Sequence, residues 1–198
     1  MPTTDNIDRS PLDIEIRPER GDDQGDVAAI AAVVAAAFGS TLEADLVTAI
    51  RASRNYIAEA ALVAEHRGRV VGHVMISHVV LRGPGGVRPV ASLSPLAVAP
   101  DVQRRGVGSA LVRHAVSVAG SLGEPLVALQ GDPRFYSRLG FEHSSPSGIE
   151  LNLPYWAPAE AAQMIKLATY DPTLTGTIVD PPYFAAGKDG SPEPACSP

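Results

Sequence analysis

Residues 103–109 read Gln-Arg-Arg-Gly-Val-Gly-Ser, and their types and spacing suit an anion. They stand between an apolar, strand-like run ending at Val98 and a helix-like run beginning near Val107. The first turn of a helix has N–H groups with no partner inside the helix, and glycine lets a bulky group approach the backbone. With Arg104 and Arg105 beside those groups, a phosphate is the natural occupant. Two familiar phosphate motifs are excluded by the letters. A Walker loop needs a lysine where Ser109 stands after Gly108, and a dinucleotide fingerprint needs glycine where Leu111 stands.

The elements around this turn must aim it. Residues 91–98 predict a strand, Arg104–Ala119 a helix with Val107, Leu111, Ala115 and Val118 on its apolar stripe, and 125–130 another strand. Gly120 and Gly123 are expected to end the helix. Such a strand–helix–strand unit should be parallel and right-handed, with ligands beyond the C-terminal ends of its strands. Upstream, 13–17 alternates as a short strand. Asp22–Phe38 predicts a helix, with Asp23 or Asp26 near its start and Gly39 after its end. Residues 41–53 predict a second helix through Leu42, Leu46 and Ile50, followed by two β-rich runs joined at His66–Arg69. Downstream come a short helix closed by Gly140, strands near 141–143 and 164–167, and a last strand within 175–184. The fold class is α/β (α+β) with a mixed sheet.

The chain of 198 residues suits one domain, expected over 12–184, with a flexible leader at 1–11 and a disordered tail at 185–198. A formal net charge of −6 argues against a nucleic-acid partner. One cysteine, Cys196, allows no intrachain disulfide and fits a reducing compartment. The polar N-terminus is unlike a signal peptide, and the uncharged run Val27–Ser40 is too short to span a bilayer. A cytoplasmic protein with no membrane partner is expected. No His/Cys cluster has ligand spacing, so no metal is expected.

The segments "LSPLAVAPDVQRRGVGSALV" and "GDPRFYSRLGF" together resemble the GNAT family of N-acetyltransferases, in its bacterial YhbS-like branch. The likeness covers roughly 12–184. It implies a mostly antiparallel central sheet, splayed near strand 4 and flanked by helices, with acetyl-CoA as co-substrate. By this resemblance Gln103, Arg104, Arg105, Gly106, Val107, Gly108 and Ser109 bind the pyrophosphate. The main chain of Leu96, Ala97 and Val98 serves the pantetheine arm in the manner of an added strand. Pro95 has no N–H, so the sheet should open beside it, and a ladder continuous on both sides from 92 to 98 would contradict this.

Tyr136 matches the family's general acid for the departing thiolate. A phenol of pKa about 10 can protonate a thiolate whose acid has pKa about 8.5 at modest cost. Packing beside Phe135 and Phe141 is the competing role. Many family members carry an asparagine before this tyrosine; here Asp132 and Pro133 suit a helix cap and first turn instead. Glu43, Asp45, Glu59, His73, His78, Ser92 and Ser94 are candidate bases, and no motif selects one. Alternation puts His73 and His78 on opposite faces. The loop "PYWAP" at 154–158 either covers the acceptor or packs a partner chain. The implied reaction is direct acetyl transfer to a small-molecule or peptide amine, with a homodimer as the expected assembly. A non-catalytic acyl-CoA-binding module is the alternative, as is an acyltransferase for a hydroxyl or another acyl chain.

Overall fold

The computed structural model describes residues 12–21 and 24–187. The expectations for residues 1–11, Asp22, Asp23 and the segment beyond 187, Cys196 included, lie outside the described residues. In chain order the first elements are β1 (Glu15–Pro18), α1 (Gln24–Phe38), α2 (Leu42–Arg51), β2 (Tyr56–His66), β3 (Arg69–Gly83) and β4 (Gly86–Val98). They are followed by α3 (Val107–Ser121), β5 (Leu126–Gln130), α4 (Pro133–Tyr136), β6 (Glu142–His143), β7 (Ile149–Leu151), β8 (Ala162–Lys166) and β9 (Gly176–Val179). A 3-10 turn, Pro182–Gly187, is the last described element. Among the described residues no helix is long and apolar enough to cross a membrane.

The strands make one mixed, mostly antiparallel sheet in the order β1-β2-β3-β4-β5-β8-β6, with β9 continuing beside the end of β3 and β7 parallel to β9. Arg67 and Gly68 both have positive φ, 51° and 77°, as a two-residue turn matched to strand twist requires. The fourth strand begins at Gly86 rather than at 91, because it pairs with β3 as far as the Gly83–Gly86 turn. Neither that hairpin extension nor β7 was read from the sequence.

Beyond Ser92, β4 is held on one edge only. Its parallel pairing with β5 consists of Ala91 with Val127 and Ser92 with Ala128. Toward β3 the ladder continues to Val98, but Ser94 and Pro95 together face the single position of Met75, since Ile76 pairs with Leu93 and Val74 with Leu96. That is a β-bulge at the proline, and the sheet opens beside it.

α3 lies on one face and α1 with α2 on the other. Gly72 lets α3 approach the sheet: a Cβ there would come within 2.9 Å of Leu111 Cδ1 and 3.2 Å of the Ala97 carbonyl. The buried stripe of α3 is Val107, Gly108, Leu111, Val112, Ala115 and Ala119; Val118 sits at its margin. The helix starts at Val107, not Arg104, because Arg104 (φ 60°) and Gly106 (φ 87°) are left-handed. It runs through Gly120 and is closed by Gly123 at φ 84°. In α2 the buried pair is Val47 and Ile50, while Leu42, expected on the stripe, is half exposed. Gly39, at φ 70°, follows α1 as expected, and Asp26 in its first turn takes both nitrogens of Arg17 at 2.7 and 2.9 Å. At the far end Asn55 Nδ2 donates to the Tyr183 hydroxyl at 2.8 Å, and Phe184 packs against both apolar clusters of that face.

Under α2 sits a buried polar group that no sequence motif announced. Glu19 accepts from Arg51 at 2.8 and 3.0 Å and from the Tyr56 hydroxyl at 2.8 Å, and His73 Nδ1 lies 3.8 Å from its other oxygen. Burial is the largest single influence on the Glu19 carboxyl and raises it, but Arg51, His73 and Tyr56 together outweigh burial, and the net direction is down. Burial dominates at His73, which has no exposed surface, and pushes its imidazole down to about 4 despite the opposing Glu19 charge.

Two outcomes follow. Gly72→Ala should cost about 1–3 kcal/mol by overpacking α3 on β3, seen as a lower urea midpoint with an unchanged slope. For His73, the unfolded chain binds a proton between pH 6.5 and about 4 that the folded chain excludes. Stability should therefore fall as pH falls through that window, by about 3 kcal/mol. The facing groups Glu19, Arg51 and Tyr56 stay charged, charged and neutral there; Glu19 adds its own loss only below its ordinary value of 4.5. Urea midpoints from pH 7.5 to 4.5 should slope for the native chain and flatten for His73→Leu.

Candidate active site

The turn after β4 is braced from several sides. Ala99 N–H donates to the Val71 carbonyl at 2.9 Å, and a 3-10 turn at Pro100–Val102 buries Val102. The Gln103 side chain donates to the Val98 carbonyl at 3.1 Å, while Asp101 pairs with Arg69 at 2.6 Å on the surface. Arg104 then takes a left-handed conformation that costs a non-glycine residue energy, and such strain tends to gather at ligand clamps. Gly106 occupies the helix cap with no side chain to offer, and the first turn of α3 contains no acid. The N–H groups that open α3 are thus left to whatever enters from outside.

What lies outside is a cleft of about 270 Å³ lined by Val98, Arg104, Gly106, Gly108, Ser109, Phe135 and Arg138. A Cβ on Gly108 would meet Val98, Phe135 and Leu96 at 3.5–3.8 Å, which is ordinary contact. The fold tolerates a side chain there, and the glycine's effect is to leave the cleft open.

Of the ten residues named from sequence for the co-substrate, five line this cleft: Val98, Arg104, Gly106, Gly108 and Ser109. The other five sit elsewhere. Gln103 braces the turn, Val107 is buried in the core, and Arg105 is half-buried outside the lining. Leu96 and Ala97 lie along the splayed segment of β4, the Ala97 side chain buried toward α1 and α2. Two lining residues fall outside the expected binding set: Phe135, expected only to pack beside Tyr136, and Arg138. Both belong to the second motif, where the eye stops at Tyr136.

Tyr136 is not among the residues that line this cleft; it follows Phe135, which is, on a short, well-capped helix. Asp132 accepts from the Arg134 N–H at 2.9 Å, and Pro133 takes the first helical position, as the sequence suggested. The Arg134 guanidinium also pairs with Asp132 at 3.1 Å and holds its carboxyl below the usual range. Gly140 at φ 92° turns the chain out. The Tyr136 ring stands edge-on to Phe135 at 4.8 Å and to Phe141 at 5.5 Å. It also lies against Gly131, where a Cβ would collide with it.

None of the candidate bases lines the cleft. Glu43 is hydrogen-bonded by Ser40 at 2.6 Å, and Asp45 and Glu59 are exposed. His73 is sealed beneath α2; His78, on the α3 face, donates to Glu124 at 2.7 Å. Ser92 is half-buried where the β5 pairing ends, and Ser94 lies in the bulge. Among the described residues no three or more His, Cys, Asp or Glu side chains gather as metal ligands would.

The comparisons with known proteins agree with this geometry. Residues 20–144 match the model of the acetyltransferase (GNAT) domain. The chain is 32% identical over 158 residues to the uncharacterized N-acetyltransferase YjhQ of Escherichia coli K12, across 79% of this chain and 87% of that one. It is 29% identical over 152 residues to the uncharacterized N-acetyltransferase YhbS of the same strain, across 76% and 86%. In structure it is similar to the Escherichia coli YhbS in complex with CoA, with TM-score 0.76, 29% identity and coverage of 88% and 93%. It is also similar to a GNAT family acetyltransferase from Brucella melitensis in complex with acetyl-CoA, with TM-score 0.68, 28% identity and coverage of 87% and 98%. A splayed fourth strand, a glycine turn opening a helix, and matches over most of the chain lead to one conclusion: the chain belongs to the GNAT acetyltransferase family.

Proposed function

We propose that the protein transfers the acetyl group of acetyl-CoA directly to a primary amine. One observation carries the reading: the glycine turn lines a cleft at the mouth of the splayed strand together with Phe135, the residue just before Tyr136. The pyrophosphate lies on the N–H groups of Gly106–Ser109 beside Arg104. The pantetheine arm runs along the free edge of β4 past Leu96, Ala97 and Val98, as an added strand would. This places the thioester in the opening beside the Ser94–Pro95 bulge.

The amine enters from the opposite side. Its nitrogen lone pair attacks the carbonyl carbon, and the oxyanion is held by a main-chain N–H near Val98. As the intermediate collapses the C–N bond stays and the C–S bond breaks. Tyr136 gives its proton to the departing thiolate, and the proton lost by the amine passes to water or to a base of the acceptor side. The transfer is direct, with no acyl-enzyme: Ser109, the one hydroxyl in the lining, sits in the first turn of α3 at the phosphate end of the cleft.

A second reading has its own observation. Tyr136 is only 8% exposed and is gripped by Phe135, Phe141 and Gly131, as a packing residue would be. A non-catalytic acyl-CoA-binding module would need no more of it than that. Tyr136→Phe separates the two. With an amine acceptor found by screening, kcat should fall about 10²–10⁴-fold while CoA affinity and the thermal midpoint hold. Unchanged turnover would assign the ring to packing alone.

A further inference from the structure

The α1–α2 face of the sheet carries two apolar clusters with a polar strip between them. Along β3 the side chains of Met75, Ser77 and Val79 share this face, with Met75 in the first cluster and Val79 in the second. On β4 the register sets Ser92 opposite Ser77 and Val90 opposite Val79, and Ala128 of β5 stands beside Ser92. Ser92 is the last residue of β4 to pair with β5, and Ser94 follows in the bulge, so the strip ends at the opening of the splay. Ser77 is fully buried and its hydroxyl has no hydrogen-bond partner, although buried hydroxyls ordinarily have one. A roof comes from the far end of the chain. The Tyr183 hydroxyl is fixed by Asn55, in the turn between α2 and β2, at 2.8 Å, and its ring lies 5.4 Å from that of Phe184. Phe184 packs against both clusters and so spans the strip between them. Every side chain named in the strip is uncharged. Farther along β3, His73 meets Glu19, whose charge Arg51 already holds.

We infer that Ser77 and Phe184 select the acceptor, a primary amine on a compact apolar body that bears one uncharged hydrogen-bonding group such as a hydroxyl. The inference rests on the acetyl-transfer reading above and names its substrate class. With the thioester beside the Ser94–Pro95 bulge, an amine poised at it leaves its body on the serine strip beneath Phe184. There the Ser77 hydroxyl pairs with the acceptor's polar group, and Phe184 limits the bulk beside it. A carboxylate or a second ammonium would be buried with no countercharge, which is costly. Neither residue touches the reacting atoms; together they set which amine is taken.

The test follows CoA release from acetyl-CoA by the full chain with matched amines: leucinol and phenylalaninol, leucine and phenylalanine, and the bare 3-methylbutylamine and 2-phenylethylamine. For the native chain, kcat/KM should be about 10-fold higher for each alcohol than for its bare amine, and about 100-fold higher than for its carboxylate. Ser77→Ala should bring the ratio of alcohol to bare amine down to about 1, through KM rather than kcat. Phe184→Leu should raise phenylalaninol relative to leucinol by about 10-fold. The rise in thermal midpoint caused by acetyl-CoA should be the same in both variants as in the native chain. An equal loss toward all the amines would make the two residues structural, and an unchanged alcohol ratio in Ser77→Ala would remove its hydroxyl from the site. A preference for the carboxylates, or no turnover of any amine by a chain that binds acetyl-CoA, would overturn the inference and leave the acyl-CoA reading in place. If acetyl-CoA does not raise the native midpoint, that reading fails first and takes this inference with it.

Discussion

β4 pairs along its whole length with β3 but for only two residues with β5, and the site is organised around that inequality. A strand with one unpaired edge inside a sheet presents N–H and C=O groups that must find partners. On the proposed reading, the amides of the pantetheine arm supply them. The bulge at Ser94–Pro95 makes the gap permanent, since proline offers no hydrogen to the ladder and two residues stand opposite one. The sheet is thereby divided into an antiparallel block, β1 to β4, and a second group, β5, β8 and β6, joined at a narrow seam.

The seam also explains why two distant motifs meet. The crossover through α3 brings the chain back as β5, parallel to β4, so that both strands end on the same side of the sheet. The glycine turn follows one of those ends and the tyrosine helix follows the other. Gly72 and Gly131 sit at close approaches, one under α3 and one under the Tyr136 ring. Packing on the α1–α2 face is of another kind. There Glu19, Arg51, Tyr56 and His73 form a sealed polar contact among β1, α2, β2 and β3, and Phe184 joins the two apolar clusters across that face.

Legibility in the sequence followed the range of the interactions. Asp132 before Pro133, Gly39, Gly123, Gly140 and the Arg67-Gly68 turn act within a few residues, and each could be read from its neighbours. The splay was legible because Pro95 is a local signal with a sheet-wide effect. The start of α3 was misplaced by three residues because Arg104 adopts a left-handed backbone that its type does not advertise. That Arg138 and Phe135 line the cleft is not legible along the chain, because lining is decided by what faces a residue across space. The Glu19 cluster draws on four elements, and no spacing along the chain brings those residues together. β7 has three residues and takes its partner from β9, far along the chain, so it left no periodic trace.

The outer strands of the sheet are brief. β1 has four residues and ends in a proline, β6 has two, and β7 has three. Such borders give a second sheet almost no template on which to add itself, and they guard a strand-rich protein against stacking into ribbons. The unpaired stretch of β4 beyond Ser92 lies instead between β3 and the β5 group, inside the order of the sheet rather than at its border.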